Sequence, residues 1–130
     1  MSAKSLAVAA VCASVAALVP ATTADATIAP VRAGFVLTVQ RAGELPRLAV
    51  LRCAPDGGTH QAAAAACAQL SQVNGRFEKL NVVPDAMCTL EYDPVKVTAV
   101  GLWGRRPVHY RAEFGNRCQL HTATGAVFGI

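Results

Sequence analysis

The residue types able to do chemistry in this chain are three histidines, the cysteines Cys53, Cys67, Cys88 and Cys118, and a short acidic cluster, Glu91-Tyr92-Asp93. His60, His109 and His121 are scattered, and none has a partner at the spacing of a metal site such as H-E-x-x-H or C-x-x-C. There is no G-x-S-x-G and no glycine loop of the kind that cradles phosphate. Glu91 and Asp93, two apart in an extended segment, aim their carboxylates the same way, with no separate task for either. These absences lead us to expect a protein that is not an enzyme and holds no cofactor or metal. What remains is "MCTLEYDPV", Met87 to Val95. Cys88 is followed by Thr89, Leu90, Glu91, Tyr92 and Asp93, and Pro94 then restricts Asp93 to extended geometry. The stretch places an apolar leucine two residues from a cysteine able to anchor it, as if for display.

The N-terminus bears on where such a cysteine lives. Met1 to Lys4 is a short segment with one cation, Leu6 to Val19 is an apolar run, and "TADA" ends an A-x-A pattern at Ala26. Together they predict a secretory signal peptide over residues 1–26 and a secreted, extracellular protein. The run is short of the ~20 residues a spanning helix needs, so no membrane anchor is expected. Cys12 leaves with the signal, and the four remaining cysteines read as disulfides of an exported chain. A Cys-His nucleophile would then lack a free thiol. Four cysteines allow three pairings, which spacing alone does not choose.

Lys and Arg number 12 against 8 Asp and Glu, a net charge of +4. Lys4 and Asp25 leave together with the signal, so this charge is unchanged. It is modest, and the one basic pair, Arg105-Arg106, makes no stripe interleaved with aromatics, so no nucleic-acid partner is expected. The length fits a single domain, placed at residues 35–130 after a flexible tail at 27–34.

The elements that must position "MCTLEYDPV" follow from periodicity. "FVLTVQ" (Phe35 to Gln40) and "RLAVLRC" (Arg47 to Cys53) predict two strands around the punctuated "RAGELP". "CAPDGGTH" is a turn cluster, and Thr59 is the expected N-cap of an alanine-rich helix ending near Asn74-Gly75. "RFEKLNVVPDA" reads only as extended or loop. "VKVTAV" (Val95 to Val100) and "VHYRAEF" (Val108 to Phe114) alternate as strands joined through "GLWGRRP", and "AVF" near the C-terminus suggests a last short strand. The expected class is α+β, an antiparallel β-sheet with helical structure packed on one face.

Several spaced motifs in one order resemble the Streptomyces subtilisin inhibitor family. They are "C-A-P-x-x-G-T-H" before an alanine-rich helix carrying Cys67, then "MC-x-x-x-Y-D-P-V", "G-x-W" and "Y-x-x-x-F-x-N-x-C". The resemblance runs from about Phe35 to the C-terminal "AVFGI". It implies an antiparallel sheet with helices on one face and two disulfides, Cys53 with Cys67 and Cys88 with Cys118. It implies a reactive bond between Leu90 and Glu91, with Leu90 setting specificity, Thr89 at a variable position, and Asn116 supporting the loop from behind. It also implies a homodimer formed through the sheet face away from the reactive loops.

The physics of a substrate-like inhibitor matches these features. A serine protease reads the side chain before the cut in its primary pocket, and a segment locked beforehand in the docking conformation avoids about 0.5–1.5 kcal/mol of ordering per immobilised side chain. Leu90 would supply up to about 2 kcal/mol on burial in that pocket. A staple from Cys88 to Cys118 would hold the loop, and closing about 30 residues stabilises the fold by roughly 3–4 kcal/mol in the chain-entropy model. Asn116 has an amide that can donate to loop carbonyls, as a carboxylate cannot. Many relatives carry Lys or Arg where Leu90 stands, so the expected partners here are subtilisin-like proteases first, chymotrypsin-like second, and trypsin only weakly. The alternative on the same scaffold is a secreted binding or structural domain that uses another face, such as the hairpin carrying Trp103.

Overall fold

A computed structural model of the chain describes residues 9–21 and 29–130. The cation at Lys4 and the "TADA" motif of the expected signal lie outside the described residues. Residues 9–21 are exposed and belong to no helix or strand, and Cys12 among them is a free thiol. Among the described residues no helix is long and apolar enough to cross a membrane.

Five antiparallel strands form one sheet: β1 (Ala33–Arg41), β2 (Arg47–Cys53), the two-residue β3 (Gly57–Gly58), β4 (Val95–Trp103) and β5 (Arg106–Phe114), in the spatial order β3-β2-β1-β4-β5. Alternation decides the faces, because successive strand side chains point to opposite sides. Phe35 and Leu37 of β1, Ala49 and Leu51 of β2, and Val95, Val97 and Ala99 of β4 are buried beneath the helices. Val36, Val50 and Val100 look the other way and are 40–48% exposed. β1 starts at Ala33, two residues ahead of the expected Phe35, because Ala33 and Gly34 pair with β2 on one side and β4 on the other. At Gly101 the strands come so close that an added Cβ would lie 1.9 Å from the carbonyl oxygen of Gly34.

Helix α1 (Ala63–Gln72) turns Ala66, Cys67 and Leu70 onto the sheet, and the Cys53–Cys67 disulfide ties it to the end of β2. It begins later than expected. Thr59 does not cap it; its hydroxyl accepts from the backbone N–H of Val50 at 2.8 Å, extending the β2 edge. His60 is buried and fixed by both ring nitrogens, one 3.0 Å from the Val127 carbonyl and the other accepting from the Ala62 N–H at 3.0 Å. That makes it a structural histidine. α1 ends where Gly75, at φ +68°, donates back to the Leu70 carbonyl, and a side chain there would collide with the Trp103 ring.

Trp103 is buried, and its indole N–H donates to Asn74 Oδ1 at 2.9 Å. It therefore closes the core and offers no display platform on the hairpin. A single 3₁₀ turn, Phe77–Lys79, sets Phe77 against Phe35, Tyr110 and Phe128 at ring-centroid distances of 5.1, 5.5 and 6.0 Å. The expected last strand at "AVF" is absent. Val127 and Phe128 are buried in a turn behind a second helix, α2 (Arg117–Thr124), which periodicity had not indicated.

Candidate functional site

Strand β4 is central, with β1 and β5 on either side, and the chain that feeds it, Ala86 to Pro94, has no regular structure. Within that segment Met87 is 98% exposed, Leu90 94% and Tyr92 78%. Exposed apolar side chains in an extended segment would ordinarily fold back onto the core, so something must hold the backbone out.

Helix α2 does much of this. Its N-cap is Asn116, which is buried and whose Oδ1 accepts from the Gln119 N–H at 2.9 Å. Gln119 reaches back to accept from the Gly115 N–H at 3.0 Å, so the helix start is locked from both ends. With its oxygen committed to the cap, the Asn116 amide donates to two loop carbonyls, Thr89 and Glu91, each at 2.9 Å. It passes over the carbonyl of Leu90 between them. Two residues further along, Cys118 is bonded to Cys88, itself two residues before Leu90. The approach to the loop is sewn to the same helix, since Val82 and Val83 donate to the carbonyls of Ala123 and Thr122 at 3.2 and 2.8 Å.

The exit of the loop is held by the sheet. The Asp93 N–H donates to the Gly115 carbonyl at 2.9 Å, and the Asp93 carboxylate accepts from Arg41 Nη2 at 2.5 Å. Arg41 Nη1 is meanwhile paired with Glu44 at 2.7 Å. The Asp93 hydrogen bond is the largest cause pushing the Arg41 guanidinium above its ordinary range, which keeps it a fixed cation.

The residues singled out from sequence thus divide cleanly. Cys88, Thr89, Leu90, Glu91, Asp93, Asn116 and Cys118 come together in one braced loop, with Pro94 at its exit and Met87 and Tyr92 projecting from it. The histidines do not meet: His60 lies in the core, while His109 on β5 and His121 on α2 are exposed. Among the described residues one group has metal-ligand proximity, Cys53, Asp56 and Cys67, but its two thiols are consumed by their own disulfide. Arg41 and Gly115 were missed. No local pattern marks either, because Arg41 is 52 residues from Asp93.

Comparison with known proteins identifies the family of the fold. The profile of the family described as Subtilisin inhibitor-like matches residues 31–116. The chain belongs to the subtilisin inhibitor-like family. It is 48% identical over 103 residues to subtilisin inhibitor-like protein 5 of Streptomyces fradiae, covering 74% of this chain and 95% of that one. It is 40% identical over 109 residues to a subtilisin inhibitor of Streptomyces violaceus, covering 78% and 73%. Among solved structures it is similar to Streptomyces caespitosus sermetstatin in complex with Bacillus licheniformis subtilisin, at a TM-score of 0.62 and 30% identity, over 76% of this chain and 99% of that one. The subtilisin inhibitor-like family is one of protease inhibitors and not of enzymes, and the expected antiparallel sheet with helices and two disulfides is the architecture found in this chain.

Proposed function

We propose that this chain is a secreted inhibitor of serine proteases that presents Leu90-Glu91 as a substrate-like bond, with subtilisin-like enzymes as its preferred targets. The observation that carries this reading is the double hydrogen bond from Asn116 to the carbonyls of Thr89 and Glu91, on either side of an almost fully exposed Leu90. A protease needs an extended backbone with the reacting carbonyl free, and the brace supplies that conformation before binding.

On docking, Leu90 enters the primary pocket and its carbonyl faces the catalytic serine and the oxyanion hole. If the serine attacks, the acyl fragment ending at Leu90 stays attached through Cys88 to Cys118, and the fragment starting at Glu91 stays attached through its own carbonyl to Asn116. The leaving amine does not diffuse away, so reclosure competes with hydrolysis. Leu90 carries no charge for the acidic pocket of a trypsin-like enzyme, so trypsin comes last, after the chymotrypsin-like enzymes whose pockets take apolar side chains.

We also assign the open sheet face to homodimerisation. In register across β2, β1 and β4, Val50, Val36 and Val100 form one apolar row, flanked by Leu48 at 65% and Leu102 at 50% exposure. An apolar stripe on a sheet face suits a second copy of itself. Secretion rests on the segment Met1 to Ala26.

The test of function is titration of subtilisin with the purified, oxidised chain lacking residues 1–26. Stoichiometric loss of activity supports inhibition; full activity in the presence of an excess of folded protein overturns it.

A further inference from the structure

The two halves of the loop are held unequally. Before Leu90 the chain is covalently tied at Cys88. After Glu91 no covalent tie exists, yet the loop must hold that side equally well if a cut is to be resealed.

Strand register shows what stands there. Arg41 is the last residue of β1 and pairs with Val95, the first residue of β4, while Val95 pairs on its other side with Phe114. Asp93, two residues before Val95, therefore leaves the sheet between the end of β1 and the end of β5. Its N–H donates to the carbonyl of Gly115, the residue just past β5, and its carboxylate accepts from the guanidinium of Arg41 at the end of β1. Arg41 is itself aimed: Glu44, across the turn closed by the Glu44 N–H to the Arg41 carbonyl at 3.2 Å, holds Nη1 and leaves Nη2 for Asp93. Its Nε is buried without a hydrogen-bond partner, so the terminal nitrogens carry all the directional bonds of the side chain. The Arg41–Asp93 pair is partly shielded, with the two side chains 27% and 38% exposed.

We infer that Arg41 is a positioning residue for the segment after the reactive bond, holding Asp93 so that the amine of a cleaved Glu91 remains in place to re-form the peptide bond. In that step the α-amino nitrogen of Glu91 attacks the ester carbon of the Leu90 acyl-enzyme. The serine oxygen leaves, recovering through the enzyme's histidine the proton lost by the amine, and no electrons are exchanged with any third reactant. The inference rests on the proposed function, which needs only that the loop is braced. It adds which residue braces the second half.

The experiment compares the wild-type chain with Arg41→Ala, Arg41→Lys, Asp93→Ala and the double substitution of Arg41→Ala with Asp93→Ala. Each is incubated with a trace of subtilisin until the ratio of cleaved to intact inhibitor is constant, starting from either form. The inhibition constant and melting temperature are measured alongside, and backbone relaxation is recorded at Glu91 to Asp93 in the free protein. Arg41→Ala is expected to raise both the cleaved-to-intact ratio and the inhibition constant about five- to tenfold, the scale of one ordinary net hydrogen bond, because the ion pair is partly exposed. It also increases motion at Glu91 to Asp93, Arg41→Lys restores part of each effect, and the double substitution adds little to either single one. If the wild-type chain inhibits while Arg41→Ala leaves the ratio and the loop relaxation unchanged, the positioning role is overturned and the proposed function stands. If the wild-type chain itself fails to inhibit, the proposed function is overturned and the resealing role with it. A fall in melting temperature with an unchanged ratio marks a merely structural pair and also overturns the role.

Discussion

The side-chain amide of Asn116 lies 2.9 Å from the carbonyl oxygen of Glu91, 25 residues earlier in the chain, while its own oxygen caps α2. One side chain thus serves the fold with its acceptor and the loop with its donor, and the two roles can be separated. Asn116→Asp keeps an acceptor for the Gln119 N–H but has nothing to donate to Thr89 and Glu91. It is expected to leave the melting temperature within a few degrees of wild type and to weaken inhibition about 10- to 100-fold, the scale of two hydrogen bonds. Asn116→Ala loses the cap as well and should cost about 1 kcal/mol of stability in denaturant unfolding. Equal inhibition by wild type and Asn116→Asp would show that the brace does not matter.

Leu90→Lys gives the exposed tip of the loop a charge for an acidic pocket. The expected result is a gain in trypsin inhibition of tenfold or more and a loss against subtilisin, measured as two inhibition constants on one preparation. An unchanged trypsin constant would place the reactive bond elsewhere.

Val36 sits at the centre of the row Val50, Val36, Val100, so a charge at this position should prevent the sheets of two copies from meeting. Val36→Lys is expected to raise the dimer dissociation constant at least about thirtyfold, the scale of an interface hot spot, in sedimentation equilibrium. Inhibition per chain should be retained, since Val36 looks away from the helix-covered face. A wild-type chain that sediments as a monomer at high concentration removes the dimer from the account.

Tyr110 packs on Phe77 and Phe128, and burial, with a smaller contribution from the charge of Glu78, pushes its phenol above the ordinary value. A raised folded-state value means that the unfolded chain releases this proton first, so the stability it contributes is intact below about pH 10 and declines as pH rises beyond that. Tyr110→Phe should flatten that alkaline decline in melting temperature and leave the neutral value nearly unchanged. Identical alkaline slopes would contradict it.

How far the residues announced this structure depended on how local their signals were. β1, β2, β4 and β5 were legible because a period of two maps directly onto a buried and an open face, as in Phe35, Leu37 against Val36. Thr59 misled because its hydroxyl suits both a helix cap and a strand edge, and Val50 claimed it. "AVF" misled because a short apolar run looks the same in a strand and in a buried turn. Helix α2 was hidden by its polar composition, although Asn116 followed three residues later by Gln119 is a helix-start signal. The loop itself became legible only through resemblance: hydrophobicity alone would put Leu90 inside. The Arg41–Asp93 pair was out of reach, since it arises from strand register between distant segments.

The most direct test of the central claim is to incubate the oxidised chain, freed of residues 1–26, with a trace of subtilisin and to locate any cut by mass spectrometry. One slow cleavage is expected, between Leu90 and Glu91, in a product still joined by the Cys88–Cys118 disulfide and still inhibitory. A first cut at any other bond, or rapid degradation without inhibition, would contradict it.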